Sequence, residues 1–370
     1  MKLLTIYATA LPLVLAAFGT AAQATDLVYG SYLSPEHGNN KYGVVRFIEE
    51  AERVSEGSLK FQYIPGGALV GAKTTLSSIG DGIVDSGIVV SLYHASDLPY
   101  NSIITNMTAF GGDAAVLAGA TNETTLLNCP KCMEEWEKWN IKHLGAYSTS
   151  GYKFLCRQEV NSLDDFKDWR IRAAGATGRW VNYLGATSVN IPVTDTYEAL
   201  QRGQIECTVG SLSWLKTFSL EDVAKYVYDM PSGAYFGGTL ANVNLDKWNA
   251  LSDLEKKALI SAAPKAVSGA TVMGYVGDDK VYVESSIEAA GITVIQPSDE
   301  ELKLLAEYRK TEADLVIEMS KEAGLEGAEE VVHAFLRNLE KWEGIIAEIG
   351  YDVEKYEEAL NREIYSKLDK

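Results

Sequence analysis

Two stretches of the chain run through the same order of elements. Ile64-Pro65 leads to a short helix, a stopping Gly82 and the strand opening Ile83-Val84-Asp85. Ile191-Pro192 leads to Leu200-Gln201-Arg202, a stopping Gly203 and the strand opening Gln204-Ile205-Glu206. In both, proline turns the chain, glycine ends the helix, and the next strand starts with an aliphatic residue beside an acid. A βα unit used twice predicts two lobes, one copy in each. The length of 370 residues agrees, because a chain of that size exceeds one ordinary core.

The remaining periodicity fits the same plan. Leu27 to Tyr32, Leu59 to Tyr63, Ile83 to Val90, Leu144 to Tyr147, Tyr152 to Cys156 and Leu240 to Asn244 read as strands. Val44, Phe47, Ile48, Ala51 and Val54 stand at helical spacing, and Leu126 to His143 reads as another helix. Ser252 with Glu255, and Ser298 with Glu301, form capping boxes. The first opens a helix through Ala263, Pro264 is expected to interrupt it, and a long helix is expected from there to about Ala290. Strands alternating with helices predict an α/β fold with substantially parallel sheets. Lobe I is expected to take residues 25–149 and about 239–277. Lobe II is expected to take 150–238 and about 278–370, including the C-terminal helices. The acidic C-terminal stretch reads as a solvated helical face.

Residues 1–24 read as a cleavable secretory leader: Lys2, an apolar run from Leu11 to Ala17, and Ala22-Gln23-Ala24 as a small-x-small site. No later run is long and apolar enough to span a membrane. The formal charge is −18, and losing Lys2 with the leader makes it −18 − 1 = −19. Such a surface repels nucleic acid and anionic membranes as partners. Cys129, Cys132, Cys156 and Cys207 in an exported chain predict one or two disulfides, with three full pairings open. The surroundings of Cys129-Pro130-Lys131-Cys132 do not form a thioredoxin-like unit, so a structural staple is expected there.

One neighbourhood of this acidic chain favours cations. Lys153, Arg157, Lys167, Arg170, Arg172 and Arg179 stand against four acids between residues 153 and 179. Trp169 to Arg172 reads as a strand, which sends Arg170 and Arg172 to the same face.

Six segments in order carry a family likeness: Tyr63 to Gly71, Gly82 to Asp85, Asp164 to Arg172, Leu184 to Pro192, Tyr197 to Gly203, and Asn244 to Leu251. Together they resemble the extracytoplasmic solute-binding proteins of TRAP transporters, of the dicarboxylate-binding DctP type. The resemblance implies a two-lobed periplasmic binding protein fold, type II-like, with a long helix spanning both lobes. It implies a small organic acid held in the cleft, closure around it, and delivery to TRAP membrane permease subunits from the periplasm. It also implies that Arg172 grips the carboxylate, for which a planar guanidinium is suited. Lys153 matches a second basic position, with a point charge in place of a fork. Gly210 stands where the pattern often has Asn, with Ser211 adjacent. Arg170 and Arg179 are expected to be structural.

Tyr32, Tyr93, Trp214, Tyr235 and Phe236 fall at expected strand ends or loops, where rings can pack an apolar solute or cover a cation. The expected ligand is therefore an organic acid with an apolar or aromatic part. The alternatives are a zwitterionic osmolyte, such as a betaine-like or sulfonium carboxylate, and a periplasmic sensor or adaptor role. No cofactor is expected. The four His carry no metal-binding spacing. No nucleophile–base motif marks an enzyme, and a monomer is expected.

Overall fold

The computed structural model describes residues 24–368. The expected leader lies, but for its last residue, outside the described residues.

The first sheet is parallel, with β1 (Thr25–Gly30) between β2 (Leu59–Ile64) and β3 (Ser86–Gly87). The second is antiparallel: β11 (Phe236–Asn244) lies between β4 (Val89–Val90) and β5 (Ile141–Ser148). The third has six strands in the order β12 (Thr293–Ile295), β10 (Tyr226–Tyr228), β6 (Lys153–Cys156), β9 (Cys207–Gly210), β7 (Arg170–Arg172), β8 (Thr187–Val189). Within it, β7 pairs in parallel with both β8 and β9, as β1 does with β2 and β3. The repeat read from the sequence thus appears as one strand order in both lobes.

Several expected boundaries shift, each for a local reason. The expected strand from Ile83 to Val90 is broken at Ile88, and its halves join different sheets. The Asn242 side chain bridges that break, accepting from Gly87 N at 3.1 Å and donating to Gly87 O at 2.7 Å. The helix expected to run to His143 stops at Lys138. Asn140 then turns left-handed at φ 56°, and β5 begins one residue later. Pro264 does not interrupt its helix. Asp253–Ser268 continues through wider π turns at Gly269–Gly277 into Asp278–Ser285. Ala262, Ala263, Pro264, Ala266 and Val267 are all buried. Burial of that face outweighs the roughly 3 kcal/mol a proline costs inside a helix.

The chain changes lobes between β5 and β6 and again between β10 and β11. The two crossing segments hydrogen-bond to each other through Thr149 N to Tyr235 O and Tyr152 N to Gly233 O. The long helix makes a further crossing. It lies against β5 and β11 at its start. Near its end Asp279 accepts from Ser213 N at 2.6 Å and Glu221 accepts from Tyr282 OH at 2.9 Å, both in the second lobe.

The last two long helices sit elsewhere than expected. Ala328–Ile349 and Val353–Glu363, expected in the second lobe, pack on the first. Trp342 Nε1 donates to Glu123, Tyr356 OH to Ala115 O, and Arg46 pairs with Glu357. Glu330, Glu340, Glu343, Glu348, Glu354 and Glu358 face outward, Glu357 and Glu363 are held in ion pairs, and Val332, Phe335, Trp342, Tyr356 and Leu360 are buried.

The disulfides are Cys129–Cys132 and Cys156–Cys207. Cys156 and Cys207 stand opposite each other on antiparallel β6 and β9, so the bond follows from strand register.

Candidate functional site

A cleft opens where strand ends of both lobes meet. Tyr32 follows β1, Val90 ends β4, and Thr149 follows β5. Arg172 ends β7, Trp214 lies just beyond β9, and Tyr235 precedes β11. Ligand crevices of α/β sheets form at such strand ends because the chain leaves the sheet there and exposes backbone and side chains.

Arg172 carries the only charge among the described residues that line the cleft, since His37 is held neutral. Burial lowers the His37 pKa to about 4. Arg172 is 5% exposed, and no carboxylate among the described residues pairs with it. Its Nε donates to Ile191 O at 3.1 Å, its Nη1 to Val209 O at 3.5 Å, and its Nη2 to Tyr93 OH at 3.1 Å. A guanidinium has five N–H donors, so two remain for a ligand after these three bonds. The Trp214 ring centroid lies 5.4 Å from Arg172 Cζ, close enough for a cation–π attraction. Gly175, at φ 56°, lets the chain turn from Arg172 into its helix, and Leu92 of the other lobe sits where a side chain would begin.

Tyr93 joins the lobes at this point. Its hydroxyl oxygen accepts from Arg172 Nη2 and from Val193 N at 3.0 Å, both in the second lobe. Arg179 makes a parallel bridge, donating to Asn106 at 3.0 Å and to buried Glu312 at 2.7 Å.

Rings supply half of the lining residues. Tyr147 stacks on Tyr275 with centroids 5.8 Å apart, and Trp214 packs against Tyr152 at 5.3 Å and Phe218 at 5.9 Å. Burial raises the Tyr32, Tyr147, Tyr152, Tyr235 and Tyr275 phenols above their ordinary range. They therefore stay neutral. The place of Trp214 explains Gly210: a Cβ there would lie 2.1 Å from the Trp214 ring. The indole takes the space into which a side chain at 210 would project.

Five of the eight residues expected at the site line this cleft: Arg172, Trp214, Tyr32, Tyr93 and Tyr235. Three do not. Lys153 pairs with Asp229 at 2.5 Å. Ser211 is buried and donates to Ser150 O at 3.3 Å. Phe236 stacks on Phe335 at 5.2 Å, because neighbours on an extended strand face opposite ways and Tyr235 takes the cleft side. Arg170 donates to Glu206 at 2.6 Å, a surface pairing.

His37 and Asn39, not among the residues expected from the sequence, also line the cleft. They belong to the polar segment after β1, so the strand-end rule applied to β1 would have pointed to them. His37 Nδ1 accepts from Asn39 N at 3.1 Å, which leaves the ring proton of the neutral imidazole on Nε2. Among the described residues no group of His, Cys, Asp and Glu is placed to hold a metal ion. No helix among them is long and apolar enough to cross a membrane.

Comparison with known proteins agrees with this architecture. The model of the bacterial extracellular solute-binding protein family 7, DctP, matches residues 29–318. The 2,3-diketo-L-gulonate-binding periplasmic protein YiaO of Escherichia coli (strain K12) is 22% identical over 289 residues, 77% of this chain and 85% of that protein. A TRAP solute-binding protein from Rhodoferax ferrireducens T118, in complex with copurified benzoate, superposes with TM-score 0.76 at 15% identity, covering 87% of this chain and 99% of that one. A TRAP solute-binding protein from an unidentified marine-metagenome microbe, specific for aromatic acid ligands and holding 3-hydroxybenzoate, superposes with TM-score 0.75 at 21% identity. It covers 87% of this chain and 99% of that one. At these identities the structural likeness is one of fold.

Proposed function

The chain belongs to the bacterial extracellular solute-binding proteins of family 7, and from that premise we propose that it captures a small organic acid between its lobes and delivers it to TRAP membrane permease subunits. The observation that carries this reading is Arg172, a guanidinium 5% exposed with no carboxylate partner among the described residues. An uncompensated buried charge costs several kcal/mol. An anionic ligand supplies the missing partner, and two free N–H groups are the number a carboxylate accepts in parallel.

The ring-lined walls favour an acid with an apolar or aromatic part. The ligands named for the two structural relatives, benzoate and 3-hydroxybenzoate, support the same class. The ring cluster also suits a quaternary cation, which keeps a betaine-like zwitterion as the second reading. Closure is a population shift, since a ligand touching both lobes stabilises the state in which they meet. Export to the periplasm through the N-terminal leader fits the two disulfides, which persist in oxidising compartments.

A thermal-shift series with matched carboxylates and carboxamides tests the reading. Binding to the folded state raises Tm by mass action. Small carboxylates are expected to raise it and their uncharged amides to leave it unchanged. Amides that stabilise as strongly as the acids would contradict the role given to Arg172.

A further inference from the structure

Asn39 is 0% exposed, and neither its Oδ1 nor its Nδ2 has a hydrogen-bond partner among the described residues. Burying an amide in this way is unfavourable, and most native proteins avoid it. The residue is not loosely placed. Its backbone N–H is held by His37 Nδ1 at 3.1 Å, and it opens the helical turn Asn39–Val44. Asn39 lines the same cleft as Arg172, but from the first lobe. The cleft therefore presents one cation from the second lobe and, beside tyrosine hydroxyls and the His37 Nε2–H, an unpartnered amide from the first. No second cation faces it among the described residues that line it.

Building on the carboxylate reading, we propose that Asn39 is a specificity-determining residue that reads a neutral hydrogen-bonding substituent, a hydroxyl or keto oxygen, on a monocarboxylate. Each alternative class leaves a group unsatisfied. A second carboxylate would be buried without a cation. A quaternary ammonium neither donates nor accepts a hydrogen bond, so the amide would stay unpaired. A plain apolar acid leaves it unpaired as well. A hydroxy- or oxo-acid pairs both ends: its carboxylate on Arg172 and its neutral oxygen on Asn39. This follows the general rule that a site built to bond a polar group discriminates strongly against the analogue lacking it.

Calorimetric titration of the wild type and of Asn39→Leu tests the assignment. The probes are two matched pairs, benzoate with 3-hydroxybenzoate and propionate with lactate, together with isophthalate and glycine betaine. In the wild type, the hydroxylated member of at least one pair is expected to bind tenfold or more tighter than its deoxy partner. Isophthalate and glycine betaine are expected to bind at least a hundredfold more weakly than that hydroxy acid. Asn39→Leu is expected to abolish the hydroxyl preference, keep affinity for the deoxy acid within about threefold, and raise or preserve the ligand-free Tm. A merely structural asparagine would lower that Tm. If Asn39→Leu overpacks, the smaller Asn39→Ala serves the same comparison.

A hydroxyl preference that survives both substitutions overturns the assignment while leaving the carboxylate reading intact. Tight binding of isophthalate or glycine betaine also overturns it. A wild type that binds none of the carboxylates overturns the underlying reading as well, so the two failures are distinguishable.

Discussion

Arg172 and Tyr93 share a hydrogen bond across the cleft, so the group that would grip a carboxylate also helps hold the lobes together. Tyr93→Phe would leave Arg172 Nη2 and Val193 N without their common acceptor. Ligand affinity is expected to fall by about 1–3 kcal/mol, the cost of unpaired buried donors, and calorimetry reads it directly. An unchanged affinity would remove Tyr93 from the closed state. At this scale the sequence was informative where chemistry and strand position coincide. Arg172 stood at the end of a strand in a locally basic stretch, and Trp214 and Tyr235 flanked strands. It was uninformative where a distant partner decides. Lys153 is taken up by Asp229 on another segment, and nothing in Ser150-Gly151-Tyr152-Lys153 announces that. Asn39 was hidden for the opposite reason, since a polar segment after a strand looks like an ordinary solvated loop until its burial is known.

Elements differ in how clearly the sequence declares them. Helix starts were legible where a capping box marks them, as at Asp299, with Ser298 and Glu301 bonded reciprocally as their spacing predicts. The helix Ala114–Glu123 was not, because all ten of its residues are buried and a helix apolar on every side carries no period. Gly119 on that helix meets the Trp342 ring from the C-terminal helix. Trp342→Ala is expected to destabilise the protein by about 3–5 kcal/mol, read as a denaturant midpoint. A loss below about 1 kcal/mol would show that the C-terminal helix does not secure the first lobe. The long crossing helix carries a pH term. Burial pushes the Asp278 carboxyl up to about 6, Lys41 opposes the rise, and Asp279 adds to it. A raised carboxylate favours the folded state while protonated. The benefit is full below the unfolded value near pH 4 and is lost as pH rises through 6. Asp278→Asn is expected to have a higher Tm than the wild type at pH 8, with the difference vanishing towards pH 4. A variant less stable at pH 8 would reverse the sign.

The whole molecule is two copies of one strand order, closed on each other by crossing segments, a long helix and a C-terminal helical pair. The repeated Ile-Pro turn and stopping glycine made the doubling readable, since each marks a turn that the backbone must make. The packing of the C-terminal helices on the first lobe was not readable, because their apolar faces could have matched either lobe until Trp342, Tyr356 and Arg46 found partners there. Cys156–Cys207 closes a long loop within the second lobe, at a sequence separation of 51. Its removal as Cys156→Ala with Cys207→Ala is expected to cost about 4 kcal/mol on the chain-entropy account. A larger fall in Tm in that double variant than in Cys129→Ala with Cys132→Ala checks it. All of these features serve one arrangement, in which the lobes meet over a buried guanidinium with no carboxylate of its own among the described residues. Calorimetric titration of one small carboxylate into the wild type and into Arg172→Ala tests that arrangement most directly. Binding weaker in the variant by about 2–5 kcal/mol is expected, because a desolvated carboxylate loses its partner. Equal affinity in the two proteins would contradict it.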